Sequence, residues 1–235
     1  MTTRQKIVGA IGVTTLTVVI LGIVFYLLVI APATTERNLE RGMAHYEKGE
    51  YLHALKIFLP EAQKGDTQAQ SHVGWMYFAG KGINLDYEKA FEWYMKVAKQ
   101  GNADAQAQVG HMYYGGRGIR QDYHKAFDWS MKAASQGDVT AQYNLGLMYF
   151  QGKGTVQNDK KAFDWYMKAA EQGCADGQCK VGIMYTMGTG VTKNFKEAIS
   201  WLTKSKNQGN KDAVQALEVA EGLMIVQYMI EASQR

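Results

Sequence analysis

The chain has 235 residues, 46% hydrophobic and 20% charged, with only 2 prolines, which is the composition of a folded chain. The net charge is +4, of which Arg4 and Lys6 carry two, and the near-neutral remainder excludes a nucleic-acid binder driven by phosphate neutralisation. Two cysteines are too few for a disulfide framework or a zinc module.

In chain order, residues 1–6 carry the basic pair, and residues 7–30, IVGAIGVTTLTVVILGIVFYLLVI, hold neither charge nor proline. As a helix this run rises about 36 Å, enough to cross a hydrocarbon core of about 30 Å with some tilt. Glu36, Arg37, Glu40 and Arg41 beyond it balance one another, so the basic bias lies on the N-terminal side. That asymmetry predicts residues 1–6 in the cytoplasm, one transmembrane helix in a bacterial inner membrane, and the remainder in the periplasm. Ala31-Pro32-Ala33 resembles a small-x-small cleavage site, so the alternative is a cleaved signal and a soluble periplasmic protein. The length of the run favours a retained anchor, since signal h-regions span about 7–15 residues. Residues 31–35 are expected to be a short linker.

The rest of the chain repeats itself. Trp93, Trp129, Trp165 and Trp201 recur every 36 residues, as do Ala90, Ala126, Ala162 and Ala198, and Gly65, Gly101, Gly137, Gly173 and Gly209. A fixed period of this size is the signature of stacked repeats. Each unit reads as two helices, a first over segments such as AQAQVGHMYYG (105–115) and a second over DYHKAFDWSMKAASQG (122–137). Asp86, Asp122, Asn158 and Asn194 stand ahead of the second helix, where a side-chain oxygen caps a free N–H. The glycines from 101 onward suit the left-handed residue that closes a helix. Gly74, Gly110, Gly146 and Gly182 fall inside the first helix, where glycine costs about 1 kcal/mol relative to alanine. The expected reason is close approach of the partner helix, which a β-carbon would block.

Between the helices run AGKGI (79–83), GGRGI (115–119), QGKGT (151–155) and MGTGV (187–191). Glycine beside a basic residue raises the question of a phosphate loop. No strand pattern precedes these loops and no Lys-Ser or Lys-Thr follows them, so they are read as chain reversals.

The pattern Ala-x-x-x-Val/Leu-Gly-x-x-Tyr-x-x-Gly-x-Gly, then Lys/Glu-Ala-x-x-Trp and Gln-Gly, is similar to the Sel-one-like repeat, a relative of the tetratricopeptide repeat. The resemblance is close over 69–104, 105–140 and 141–176, and looser over 177–212. Residues 36–68 lack the Gly-x-Gly insertion, and LERGMAHYEKGEYLHAL (39–55) resembles a plain tetratricopeptide helix pair. The resemblance implies an all-α fold, a right-handed superhelical solenoid of stacked helix-turn-helix repeats, used for protein–protein binding and without catalytic residues. In the fourth unit Lys206 takes a small buried position, so that unit packs more loosely or turns its last turn to solvent. Residues 213–235, with LMIVQYMI (223–230), read as a hydrophobic capping helix.

Columns that hold from unit to unit serve the stacking, and columns that change are free to serve a ligand. Four first-helix columns change, those beginning at Ser71, His72, Trp75 and Phe78, and their offsets put them on one helical stripe. In solenoids of this kind the first helices line the concave groove. The candidate partner-binding residues are therefore His72, Trp75, Phe78, Gln108, His111, Tyr114, Tyr143, Asn144, Leu147 and Phe150. Trp75, the only tryptophan outside the repeating column, is the expected anchor. The histidines show no ligand spacing on one helix, so no metal is expected. No nucleophile–base or carboxylate pair stands out, so neither catalysis nor a cofactor is expected. Cα atoms of Cys174 and Cys179 on an ideal helix would lie about 8 Å apart, beyond the usual reach of a disulfide near 7 Å unless the cap residue swings inward.

The function expected is a membrane-anchored, periplasm-facing interaction module, a scaffold or adaptor, whose protein partner lies at or near the membrane. The alternative is an immunity protein neutralising a toxic effector delivered to the periplasm, such as a secreted phospholipase, because some proteins with these repeats resemble this layout. An enzyme acting on a small ligand or glycan held in the groove is a third class, one that lacks a catalytic constellation.

Overall fold

The computed structural model describes residues 19–26 and 31–234, and among these every regular element is helical. The chain divides into two compact units, Met1–Leu85 and Asp86–Arg235. Of the expected membrane span, residues 7–18 and 27–30 lie outside the described residues, as do residues 1–6, while residues 19–25 are helical and exposed.

The first unit contains α1 (Ala31–Glu47), α2 (Tyr51–Lys64) and α3 (Thr67–Ala79). Residues 31–35 are not the expected linker, because α1 starts at Ala31. This helix is tied to α2, where Glu61 is buried and accepts hydrogen bonds from Thr35 Oγ1 at 3.1 Å, Asn38 Nδ2 at 2.8 Å and Lys64 Nζ at 3.0 Å. Burial alone would raise the Glu61 pKa, but the hydrogen bonds from Lys64, Asn38 and Thr35 outweigh it and hold the carboxyl below its usual value. The start of α1 is thereby pinned to α2.

The second unit runs α4 (Tyr87–Lys99), α5 (Ala103–Gly115), α6 (Tyr123–Ser135), α7 (Val139–Gln151), α8 (Asp159–Glu171), α9 (Ala175–Met187), α10 (Phe195–Asn207) and α11 (Lys211–Ser233). Each helix packs on the next, and α5 also touches α7, so the unit is a local solenoid of stacked helix pairs. The expected caps form: Asp122 Oδ1 accepts from Lys125 N at 3.0 Å, and Asn158 Oδ1 from Lys161 N at 2.9 Å. Asn102 caps the first helix α5 in the same way, its Oδ1 accepting from Ala105 N at 2.8 Å. Cys174 fills the same role for α9, with Sγ accepting from Gly177 N at 3.4 Å. Both cysteines are free, Cys179 being buried in α9.

The internal glycines mark where helix backbones meet. A β-carbon on Gly146 would lie 2.5 Å from the Tyr166 ring, and one on Gly110 would lie 2.7 Å from Ser130 Oγ and 3.2 Å from the Ala126 carbonyl oxygen. In the turn after α5, Gly116 caps the helix at φ 65°, and Gly118 at φ 71° lies directly on the Tyr87 backbone at the start of α4. Gly154 and Gly190 sit likewise on Tyr123 and Asp159, so each turn seats one repeat on the preceding one. Arg117 between the two glycines is exposed, its guanidinium 5.9 Å from the centre of the Tyr87 ring.

A glutamine ladder adds polar stitching that sequence reasoning missed. Gln136 Nε2 donates to Gln106 Oε1 at 2.8 Å, and Gln106 Nε2 donates to the Ala98 carbonyl at 3.2 Å. The same relay recurs as Gln172 to Gln142 and as Gln208 to Gln178 to Ala170. Fixed partners leave few buried polar atoms unmade, which is what a repeat interface requires.

In α10 the last turn faces solvent at Lys206, while Ser205 is buried and its Oγ donates to the Ala175 carbonyl at 2.7 Å. The next helix, α11, begins as another first helix, with Ala213, Leu217 and Ala220 buried in a cluster with α10. Earlier repeats would place a Gly-x-Gly turn at 224–226, but Met224, Ile225 and Val226 stand there and the helix runs on. Its outer part exposes Leu223, Ile225, Val226, Tyr228, Met229 and Ile230. By length and composition α11 is the one helix among the described residues that could cross a membrane.

Gly146→Ala is expected to lower stability by about 1–3 kcal/mol, since the Tyr166 ring it meets is enclosed. Arg117→Ala should cost less than about 1 kcal/mol, the scale of an exposed cation–π contact. Denaturant unfolding followed by circular dichroism distinguishes the two.

Candidate functional site

Three of the expected residues, His72, Trp75 and Phe78, lie on α3 in the first unit. The His72 ring stacks on Phe58 at 4.7 Å and 15°, and burial pushes its pKa down. Trp75 meets Tyr46 edge-on at 5.7 Å and is still 38% exposed. Trp75 is thus both partly exposed and in contact with Tyr46 of α1. Phe78 is half-buried.

The remaining seven lie on α5 and α7 in the second unit. His111 and Tyr114 of α5 and Asn144 and Leu147 of α7 come together around a pocket of about 170 Å³, with Gly110, Ser130 and Met148 beneath. One repeat on, Leu147 and Phe150 of α7 share a second pocket of about 190 Å³ with Lys180, Ile183 and Met187 of α9, and with Tyr166 and Met184. The linings correspond at the 36-residue spacing, Ser130 with Tyr166, Asn144 with Lys180 and Leu147 with Ile183. Gln108 and Tyr143 are half-buried and line neither pocket. Tyr143 packs instead at 5.5 Å from Tyr166, and burial, with Asp176 nearby, raises its hydroxyl pKa to about 12.

Tyr114 is held in place by the following repeat. Its hydroxyl donates to Gln151 Oε1 at 2.8 Å and accepts from Lys153 Nζ at 3.1 Å, while its ring meets Tyr123 at 5.2 Å. A wall fixed in this way is preorganised for binding. His111 is half-buried, and burial first, then the Arg117 charge, lowers its pKa, which keeps the imidazole neutral near pH 7.

Sequence reasoning missed Ser130, although the repeat carried the signal. The column reads Tyr94, Ser130, Tyr166, Leu202, so one small residue stands where the others are bulky. Tyr166 lays its ring over Gly146, whereas Ser130 leaves the space over Gly110 partly open. Lys180 and Ile183 were legible as members of the varying columns. Among the described residues no group of three His, Cys, Asp or Glu side chains could hold a metal. The two linings offer apolar contact, a few neutral hydrogen-bonding groups and one lysine.

Stacked helix pairs of 36 residues, seated by a Gly-x-Gly turn and presenting a varying first-helix face, define a helical-repeat scaffold. The chain belongs to the Sel1 repeat family, whose model matches residues 67–102, 103–138, 139–174 and 175–210, a register two residues ahead of the one expected from sequence. It is similar to the crystal structure of a protective antigen from uropathogenic Escherichia coli strains with an SLR fold, at 34% identity and a TM-score of 0.73, over 80% of this chain and 41% of that one. It is also similar to a Sel1 repeat protein from Oxalobacter formigenes, at 34% identity and a TM-score of 0.71, over 77% of this chain and 72% of that one. The chain thus spans less than half the length of the first of these. No curated protein matches it.

The histidine environments give a pH dependence. Their folded pKa values lie below the unfolded value of 6.5, so as pH falls past it the unfolded chain takes up protons first. The melting temperature should therefore fall between about pH 7 and 5, and His111→Gln should flatten part of that slope. An NMR titration of His111 placing its pKa at or above that of free histidine would contradict the burial argument.

Proposed function

We propose that this chain is a protein-binding module held at a bacterial inner membrane by residues 7–30, its repeats on the periplasmic side, and that its partner docks on the paired pockets of α5, α7 and α9. The supporting observation is that varying columns, rather than stacking columns, wall two adjacent pockets one repeat apart. Apolar pockets with a few placed polar groups are the usual form of an anchor site. The anchor is supported by an uncharged run of spanning length with its basic flank on the N-terminal side. Because α1 begins at Ala31, directly after that run in the sequence, the reading favours a partner at or near the membrane.

The full chain, crosslinked in intact cells and purified, should carry a protein partner. Ser130→Tyr with Leu147→Ala should weaken binding of the captured partner by roughly thirtyfold, the loss of one anchor of about 2 kcal/mol, with the helical signal and melting curve retained. Unchanged affinity in the folded double variant would remove these pockets from consideration. A toxic effector as the captured protein would identify an immunity role, and an envelope protein an adaptor. An alkaline-phosphatase fusion after residue 235 should be active, and an inactive one would overturn the periplasmic placement.

A further inference from the structure

One edge of the second unit is basic, and an apolar helix runs out past that same edge. The edge is built from the turns that join first helix to second, residues 115–125, 151–161 and 187–197. They hold eight lysines and arginines against three acidic residues, whereas the opposite loops, 132–142, 168–178 and 204–214, hold five against four. All of the eight except the half-buried Lys153 are exposed. The ammonium groups of Lys125 and Lys153 lie 5.5 and 5.0 Å from the ring centres of Tyr113 and Tyr114, which positions them without cancelling their charge. Lys125 also pairs with Asp122 at 3.6 Å. Between Lys153 and Lys160 the turn lifts Val156 into solvent, 85% exposed.

The apolar helix is α11. The repeat would turn it at 224–226, yet it continues to Ser233, past the edge on which the turns lie. The continuation stays beside the last turn, since Met224, Gln227, Tyr228 and Glu231 line one hollow with Lys193 and Lys196. At 3.6 residues per turn, Tyr228, Ile225, Met229, Val226, Ile230 and Leu223 follow one another around an arc of about 220°. All six are exposed. A helix packed on a neighbour buries a stripe of about 100°, so a single partner helix would leave about half of this arc in water.

We propose that the basic edge and the outer part of α11 together seat the repeats on an anionic lipid surface. The lysines and arginines meet lipid phosphates, while Val156 and the arc of α11 enter the acyl region. Residues 222–230 carry no charge and rise about 14 Å as a helix, about half of a hydrocarbon core, so α11 dips into one leaflet without crossing. Gln227, which donates to Glu231 at 2.8 Å, lies with it on the side of the hollow, toward the lysines of the turn. Tyr228 borders the arc and takes the headgroup level. The contact is separate from the pockets of α5, α7 and α9 and rests on the membrane placement proposed above.

The test uses the full chain in lipid nanodiscs, with isotope-labelled methionine methyl groups and a trace of lipid bearing a nitroxide on its acyl chain. The discs are made of phosphatidylcholine, alone or mixed with phosphatidylglycerol. In the anionic discs the nitroxide should erase most of the Met229 signal and leave the buried Met112 and Met148 at full strength. In the neutral discs Met229 should recover. Arg120→Gln with Lys160→Gln should lower the bound-to-free ratio of α11 in anionic discs by about twenty-five-fold, about fivefold for each charge removed. Full-strength Met229 in both kinds of disc would overturn the proposal. Equal loss in both would remove the basic edge from the contact. Two chains in each disc, with Met229 shielded from the nitroxide, would put a second copy in place of the lipid. Failure of the anchor reading appears separately, in Ile225→Asn with Ile230→Asn, which blocks insertion of α11. That variant should stay with the discs through residues 7–30 while Met229 returns to full strength, and its release would overturn the anchor instead.

Discussion

Two helix backbones can touch only where no β-carbon stands between them, and the whole stack depends on meeting that condition at regular intervals. Gly110, Gly146 and Gly182 meet it within each helix pair, against Ser130, Tyr166 and Leu202. Gly118, Gly154 and Gly190 meet it between pairs, where each turn lies on the backbone that opens the preceding second helix. With the distances fixed in this way, the glutamine relays fall into hydrogen-bonding range at three successive steps. A repeat cannot bury its own apolar face alone, so seating and stitching together convert marginal helix pairs into one cooperative stack.

That arrangement commits most of each helix and leaves one stripe of the first helices uncommitted. On α5, α7 and α9 the stripe forms pockets because the elements behind it are not uniform. Ser130 stands where a ring would otherwise fill space, and Tyr166 restores the ring over Gly146. Function in a repeat protein of this kind is written in departures from the repeat. The same principle accounts for α11, which lacks the glycines of the turn and continues as an exposed apolar helix.

Much of this was legible without coordinates. The period of 36, the caps at Asp122 and Asn158, the close-approach role of the internal glycines and the reversing role of the GGRGI loop all follow from local rules: propensity, capping and left-handed backbone geometry. The site was legible in part. His111, Tyr114, Asn144, Leu147 and Phe150 were chosen because their columns vary, and they do wall the two pockets. Gln108 and Tyr143 satisfied the same criterion and line neither, since column variation reports freedom from stacking and says nothing of the space beside a residue.

The sequence by itself determined the family, the repeat boundaries to within two residues and the stripe of varying positions on the first helices, because these depend on spacing along one chain. Only the tertiary structure decided where the stripe becomes concave, that Trp75 leans on Tyr46, that α1 absorbs residues 31–35 through Glu61, and that Lys180 and Tyr166 converge on one hollow. Each of these is a meeting between residues distant in the chain, on different helices, and the distance across a helix interface is set by the smallest side chain at the contact rather than by any property that a single residue carries.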